Sequence, residues 1–139
     1  MSVISTNNAP AAIGPYSQAV SVKNVLTVVT FSGQIAIDPA TGEMDMATFK
    51  DEARRVLKNL KAVVEAAGLV MDQLIKVRVY LTSMDFYDEF NGIYGEFFTG
   101  PDYPARVVIQ VAGLPKNARV EVEAETAIQA RQGGAASRT

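Results

Sequence analysis

Between Val25 and Phe31 the chain reads Val-Leu-Thr-Val-Val-Thr-Phe, an uncharged, largely β-branched stretch that predicts a strand. Side chains alternate faces along a strand, so Val25, Thr27, Val29 and Phe31 fall on one side and Leu26, Val28 and Thr30 on the other. Both faces are apolar and both need cover. Only two long helical periodicities follow in the sequence. Two helices cover one face of a sheet, so the second face must be covered by something else. We expect it to pack against copies of itself in a closed homo-oligomer.

The clearer helix starts near Met46. Phe49, Ala53, Val56, Leu57, Leu60, Val63, Val64 and Ala67 form one stripe, with Asp45 as the expected N-cap and Gly68 just past the C-terminus. Lys50, Arg54, Lys58 and Lys61 lie outside that stripe among Asp51, Glu52 and Glu65. They form either a basic stripe for nucleic acid or a solvated face laced by i,i+4 pairs, and the second reading is the commoner one. A second helix, capped by Ser83, carries Phe86, Phe90, Ile93, Tyr94 and Phe97, with Gly92 and Gly95 marking close packing and Asn91 off the stripe. Asn91 by itself reads as a surface or packing amide.

Strands are expected at residues 2–6, at Ser17–Val22 and Val25–Phe31 as an antiparallel hairpin around Lys23-Asn24, and at Leu74–Leu81 with Ile75, Val77, Val79 and Leu81 inward. Arg106–Val111 and Arg119–Glu125 complete the set. The fold class is α+β, with two helices on one face of a mixed sheet of about six strands. The domain spans residues 1–128, and 129–139, containing Gly133-Gly134-Ala135-Ala136-Ser137, reads as a disordered tail.

The chain contains no histidine and no cysteine among its 139 residues. This excludes a thiol nucleophile, a histidine base, a Ser-His-Asp triad and zinc sites built on Cys or His. No metal and no cofactor is expected. A formal charge of −2 argues against a nucleic-acid footprint. Without a signal-like segment or an apolar run of spanning length, a soluble cytoplasmic protein is expected.

What remains for chemistry is concentrated late in the chain. Arg106 opens an apolar strand with Val108 and Gln110 on its own face, and Glu121, Glu123 and Glu125 share a face of the next strand. A fixed cation and a nearby carboxylate make either a site or an interface ion pair.

Asn8-Ala9-Pro10, Gly14-Pro15-Tyr16-Ser17-Gln18-Ala19, Ser32-Gly33-Gln34, Glu65-Ala66-Ala67-Gly68, Tyr94 with Phe97-Phe98, Pro104-Ala105-Arg106 and Val120-Glu121-Val122-Glu123-Ala124 together resemble the RidA (YjgF/YER057c/UK114) family. The resemblance covers all but about the last ten residues. It implies a chorismate-mutase-like fold, a homotrimeric barrel, and sites between neighbouring subunits. It further implies hydrolytic deamination of 2-enamine and 2-imine acids, such as 2-aminoacrylate and 2-iminopropanoate, to 2-keto acids and ammonia, removing a reactive metabolite. By the same resemblance Arg106 holds the substrate carboxylate and Glu121 stands beside the attacking water. Tyr16, Ser32, Gly33 and Asn91 become pocket positions. Val108 stands where many relatives carry cysteine, so no thiol takes part and the pocket floor is more apolar. The competing readings are a trimer that binds 2-keto acids without turnover and, with less support, an RNA-binding or RNA-cleaving protein.

Overall fold

The computed structural model describes residues 1–130. In chain order the strands and helices are β1 (Ser2–Ile4), β2 (Ala19–Ser21), β3 (Val25–Gln34), α1 (Phe49–Ala66), β4 (Lys76–Leu81), α2 (Tyr87–Gly95), β5 (Ala105–Gln110) and β6 (Val120–Gln129). The fold is α+β, as expected, but the six strands do not form one sheet. Four of them form a mixed sheet in the order β3-β6-β4-β5, with β5 parallel to β4 and the other pairs antiparallel. β1 and β2 make a separate antiparallel ribbon. The ribbon is tied to the β5 edge through a Ser17–Ala105 bridge, where the Ser17 amide donates to Pro104 O at 3.1 Å and its hydroxyl to Tyr103 O at 2.5 Å.

The hairpin expected around Lys23-Asn24 does not form, because β2 pairs with β1 and β3 with β6. A two-residue hairpin turn of type I′ needs positive φ at both central positions. Asn24 adopts it, at φ 55°, whereas Lys23 is not among the positive-φ residues. β3 instead finds a partner of its own ten-residue length in β6. β6 extends through Gln129, and the Ala130 amide donates to Asn24 O, so the first residues of the expected tail belong to the fold. Residues 131–139 lie outside the described residues.

α1 starts three residues later than its apolar pattern suggests. Thr48, not Asp45, is the N-cap, its hydroxyl accepting the Asp51 amide at 3.0 Å, while Asp45 lies 3.6 Å from Arg55. Gly68 ends the helix in the left-handed region at φ 79°, as expected. α1 buries Phe49, Ala53, Val56, Leu57, Leu60 and Val64 against the sheet face carrying Val77, Val79, Val120 and Val122. Val63 is exposed, and Glu52, expected on the outer face, is wholly buried. β4 starts at Lys76 rather than Leu74 because Met71–Gln73 forms a 3₁₀ turn. Ser83 caps as expected, but onto a 3₁₀ turn over Met84–Phe86, leaving α2 only nine residues long. Gly92 and Gly95 do not mark close packing, since a Cβ at either would meet nothing within 4 Å.

The register places Lys76, Arg78 and Tyr80 with Glu121, Glu123 and Glu125 on the face away from the helices. Apolar margins flank this charged centre, with Leu26 70% and Val28 64% exposed on β3 and Val107 and Ile109 exposed on β5. The uncovered second face anticipated from the sequence is present in the single chain, but a register shift between Val25 and Thr27 pairs Val25 with Gln129 and so separates it from Thr27, Val29 and Phe31, with which it was expected to share a face. Among the described residues no helix is long and apolar enough to cross a membrane.

Candidate functional site

Arg106 is register partner of Val77, which points the guanidinium to the helix side of the sheet. There α2 presents Asn91 and Tyr94, three residues apart and therefore on one face. The Arg106 guanidinium carbon lies 4.8 Å from the Tyr94 ring centre and 5.5 Å from that of Tyr16. Tyr16 is set by the Gly14-Pro15 turn, in which its amide donates to Gly14 O at 2.8 Å, and its hydroxyl accepts the Ile13 amide at 3.2 Å. A Cβ at Gly14 would sit 3.4 Å from both Arg106 Nη2 and Asn91 Nδ2. Glycine lets the backbone approach the cation closely.

Three buried polar atoms in this group have no hydrogen-bond partner: Arg106 Nη1, Asn91 Oδ1 and Tyr94 OH. Only Arg55 Nε is left in the same condition elsewhere among the described residues. A buried unsatisfied group costs about 1–3 kcal/mol, more when charged, so three in one place mark a site built for a polar visitor. Arg106 has no ion pair among the described residues. Its neighbouring recess, of about 220 Å³, is lined by Tyr16, Tyr87, Arg106, Val107 and Val108. Burial pushes the Tyr94 hydroxyl well above the usual phenol range, with Arg106 acting the other way, so it stays protonated.

Glu121 belongs to a second group. β3 is irregular between Phe31 and Gln34, and there Gly33 lies so close to Glu121 that a Cβ would come 2.0 Å from its Oε2. Ser32, exposed, adjoins it. The three glutamates that looked alike in sequence are distinguished by a diagonal ladder. Glu125 pairs with Arg78 at 2.6 Å, one step off its register partner Lys76, and Glu123 accepts from the Tyr80 hydroxyl, one step off Arg78. The ladder runs out at Glu121, for which the next diagonal position, Thr82, lies beyond the end of β4. Burial, and then the charge of Glu123, raise its carboxyl above the usual range. It is the one acid of the three suited to take up a proton.

The structure therefore gathers Tyr16, Asn91 and Val108 around Arg106, and Ser32 and Gly33 around Glu121, but it does not join the two groups. They lie on opposite faces of the sheet and two strands apart. Tyr94, Gly14 and Tyr87 were not singled out as site positions from the sequence. The detectable signal was the three-residue spacing of Asn91 and Tyr94, obscured because a tyrosine in an apolar stripe reads as core. Among the described residues no three His, Cys, Asp or Glu side chains gather as metal ligands. On α1, Arg54 pairs with Glu96 at 3.1 Å and Lys61 with Glu65 at 4.0 Å, which favours the solvated-face reading of that stripe.

A sequence model of the family described as Endoribonuclease L-PSP matches residues 6–128. The chain is 48% identical over 122 residues to a RutC family protein of Pyrococcus horikoshii, covering 88% of this chain and 94% of that one. It is 45% identical over 127 residues to the 2-iminobutanoate/2-iminopropanoate deaminase of Dermatophagoides farinae, covering 91% and 96%. The crystal structure of Escherichia coli TdcF with bound serine matches with a TM-score of 0.69 at 40% identity, over 93% of this chain and all of that one. With the family pattern spanning nearly every described residue and the same fold found in a solved relative, the chain belongs to the RidA (YjgF/YER057c/UK114) family.

Proposed function

We propose that this protein hydrolyses reactive 2-imino and 2-enamino acids, 2-iminopropanoate among them, to 2-keto acids and ammonia, in a homotrimer whose sites lie between neighbouring copies. The observation that carries this reading is the Arg106 guanidinium, held on two rings without a carboxylate partner among the described residues and beside two further unsatisfied polar atoms. A planar fork of donors grips a substrate carboxylate through two parallel bonds. Relatives named as deaminases of such imines, and a relative whose structure holds the amino acid serine, support the choice of a small carboxylate substrate. The separation of Glu121 from Arg106 within one chain, together with the uncovered face bearing Leu26 and Val28, favours a second copy as the source of the water-activating group.

The chemistry asks little of the protein. Water held by the Glu121 carboxylate adds to C2 of the protonated imine and gives up a proton to that carboxylate. The resulting carbinolamine receives that proton on nitrogen, the re-ionised carboxylate takes the hydroxyl proton as the carbonyl forms, and the C–N bonding pair leaves with ammonia, which carries the last proton away as ammonium. The electrophile is already activated, so placing the water and fixing the carboxylate supply the acceleration.

The test is a coupled assay. An amino-acid oxidase generates imino acids in situ, semicarbazide competes for them, and 2-keto acid formation is followed with wild type, with Arg106→Ala and without protein. Acceleration by wild type alone is expected. Binding of 2-keto acids without any acceleration would replace the deaminase with a ligand-binding trimer.

A further inference from the structure

We propose that Tyr94 is a positioning residue for Arg106, its ring fixing the plane in which the guanidinium meets its ligand; this rests on the reading of Arg106 as a carboxylate anchor. An arginine side chain is long and flexible, and a bidentate grip works only when the plane of the fork matches that of the carboxylate. Where a structural arginine is aimed by an internal carboxylate, Arg106 has none among the described residues. The aim has to come from the rings. Of the two, Tyr94 is the nearer, at 4.8 Å against 5.5 Å for Tyr16.

Tyr94 is also the immobile one. It has no exposed surface, and its ring is wedged between Phe90 at 5.7 Å and Phe98 at 4.6 Å, with Phe98 in turn edge-on to Tyr103 at 6.3 Å. This aromatic column is part of the core. It carries the rigidity of the core to the guanidinium, while Tyr16 closes the other side from a turn. Its hydroxyl has no partner among the described residues, and its contact with Arg106 is through the face of the ring. Cation–π attraction at a partly buried site corresponds to about a tenfold change in an equilibrium constant.

The test separates geometry from function. In ligand-free protein the Arg106 Nε–H proton, observed by nitrogen-edited NMR, should be shifted upfield by ring current in wild type and in Tyr94→Phe, and should lose most of that shift in Tyr94→Leu. Binding of pyruvate should weaken on the order of tenfold in Tyr94→Leu and clearly less in Tyr94→Phe, which keeps the ring and loses only the hydroxyl. With an imino acid the same variant should raise KM while leaving kcat within about twofold. Tyr94→Met, which repacks cores readily, replaces the leucine variant if that one does not fold. An unchanged Arg106 proton shift in the folded leucine or methionine variant overturns the proposal. If instead Arg106→Ala keeps full pyruvate affinity, the anchor reading fails while the proton shift still decides what Tyr94 does.

Discussion

Arg106 and Arg119 are built alike up to one point. Both guanidinium groups lie over two aromatic rings, Tyr94 and Tyr16 for Arg106, Phe49 and Phe86 for Arg119, the latter at 6.0 and 5.9 Å. Arg119 then finds a carboxylate inside the chain. Its Nε and backbone amide donate to the two oxygens of buried Glu52 at 2.6 and 2.7 Å, and Nη2 donates to Met46 O at 2.9 Å. Among the described residues Arg106 finds no carboxylate and keeps an unsatisfied Nη1. The first arrangement locks α1 to the start of β6; the second leaves donors open for the carboxylate of the proposed substrate. Stacking is common to both arginines, and the internal acceptor is what separates them.

Exchanging the two losses should break the symmetry most visibly. Glu52→Ala leaves the Arg119 charge half-buried and uncompensated and should cost about 3–5 kcal/mol of stability by urea unfolding. Arg106→Ala should lower kcat/KM on the order of 10³-fold, from two charge-assisted bonds of about 1.5–3 kcal/mol each, with stability changed by less than about 1 kcal/mol. If Arg106→Ala proves as destabilising as Glu52→Ala, the contrast between the two arginines is lost. The glutamates sharpen it next. Glu121→Gln should slow hydrolysis on the order of 10²-fold and leave pyruvate affinity little changed, while Glu125→Gln, which removes only the half-buried pair with Arg78, should leave turnover near wild type.

The pH profile carries a finer effect. In the proposed reaction Glu121 acts as a base when ionised, and its proton affinity is raised by burial and by Glu123. Activity should therefore fall as pH drops through that raised value. Glu123→Gln removes one cause and should move the acid limb to lower pH, and an unmoved limb would assign it to another group. The smallest effect concerns stability. A carboxyl with a raised folded-state pKa favours folding while protonated, and this contribution is lost as pH rises from the unfolded to the folded value. Glu121→Gln should thus raise Tm slightly at neutral pH and leave it unchanged in acid.

Much of this molecule is legible along the chain because it follows from local periodicity. The α1 stripe, the alternation of β4, the left-handed Gly68 and the two-faced apolarity of β3 each depend on a few neighbouring residues. Arg106 was visible for the same reason, as a lone cation heading an apolar strand. Pairing was not. The failure of the Lys23-Asn24 hairpin and the division of six strands into a sheet and a ribbon depend on which distant strand offers a longer ladder. The N-cap moved from Asp45 to Thr48 because Arg55 and the packing of Phe49 set where α1 begins.

Residue chemistry by itself left carboxylate, lysine amine, guanidinium, hydroxyl and backbone groups for any reaction and put apolar side chains on both faces of β3. Only the tertiary structure decided which members of those classes are free. Hydrogen-bond partners arrive from residues far away in sequence, so the diagonal ladder consumed Glu125 and Glu123 and left Glu121, and α1 supplied Glu52 to Arg119 while nothing on α2 supplied an acid to Arg106. Whether a charged group remains available depends on which side chains surround it in space, and position along the chain carries little of that information.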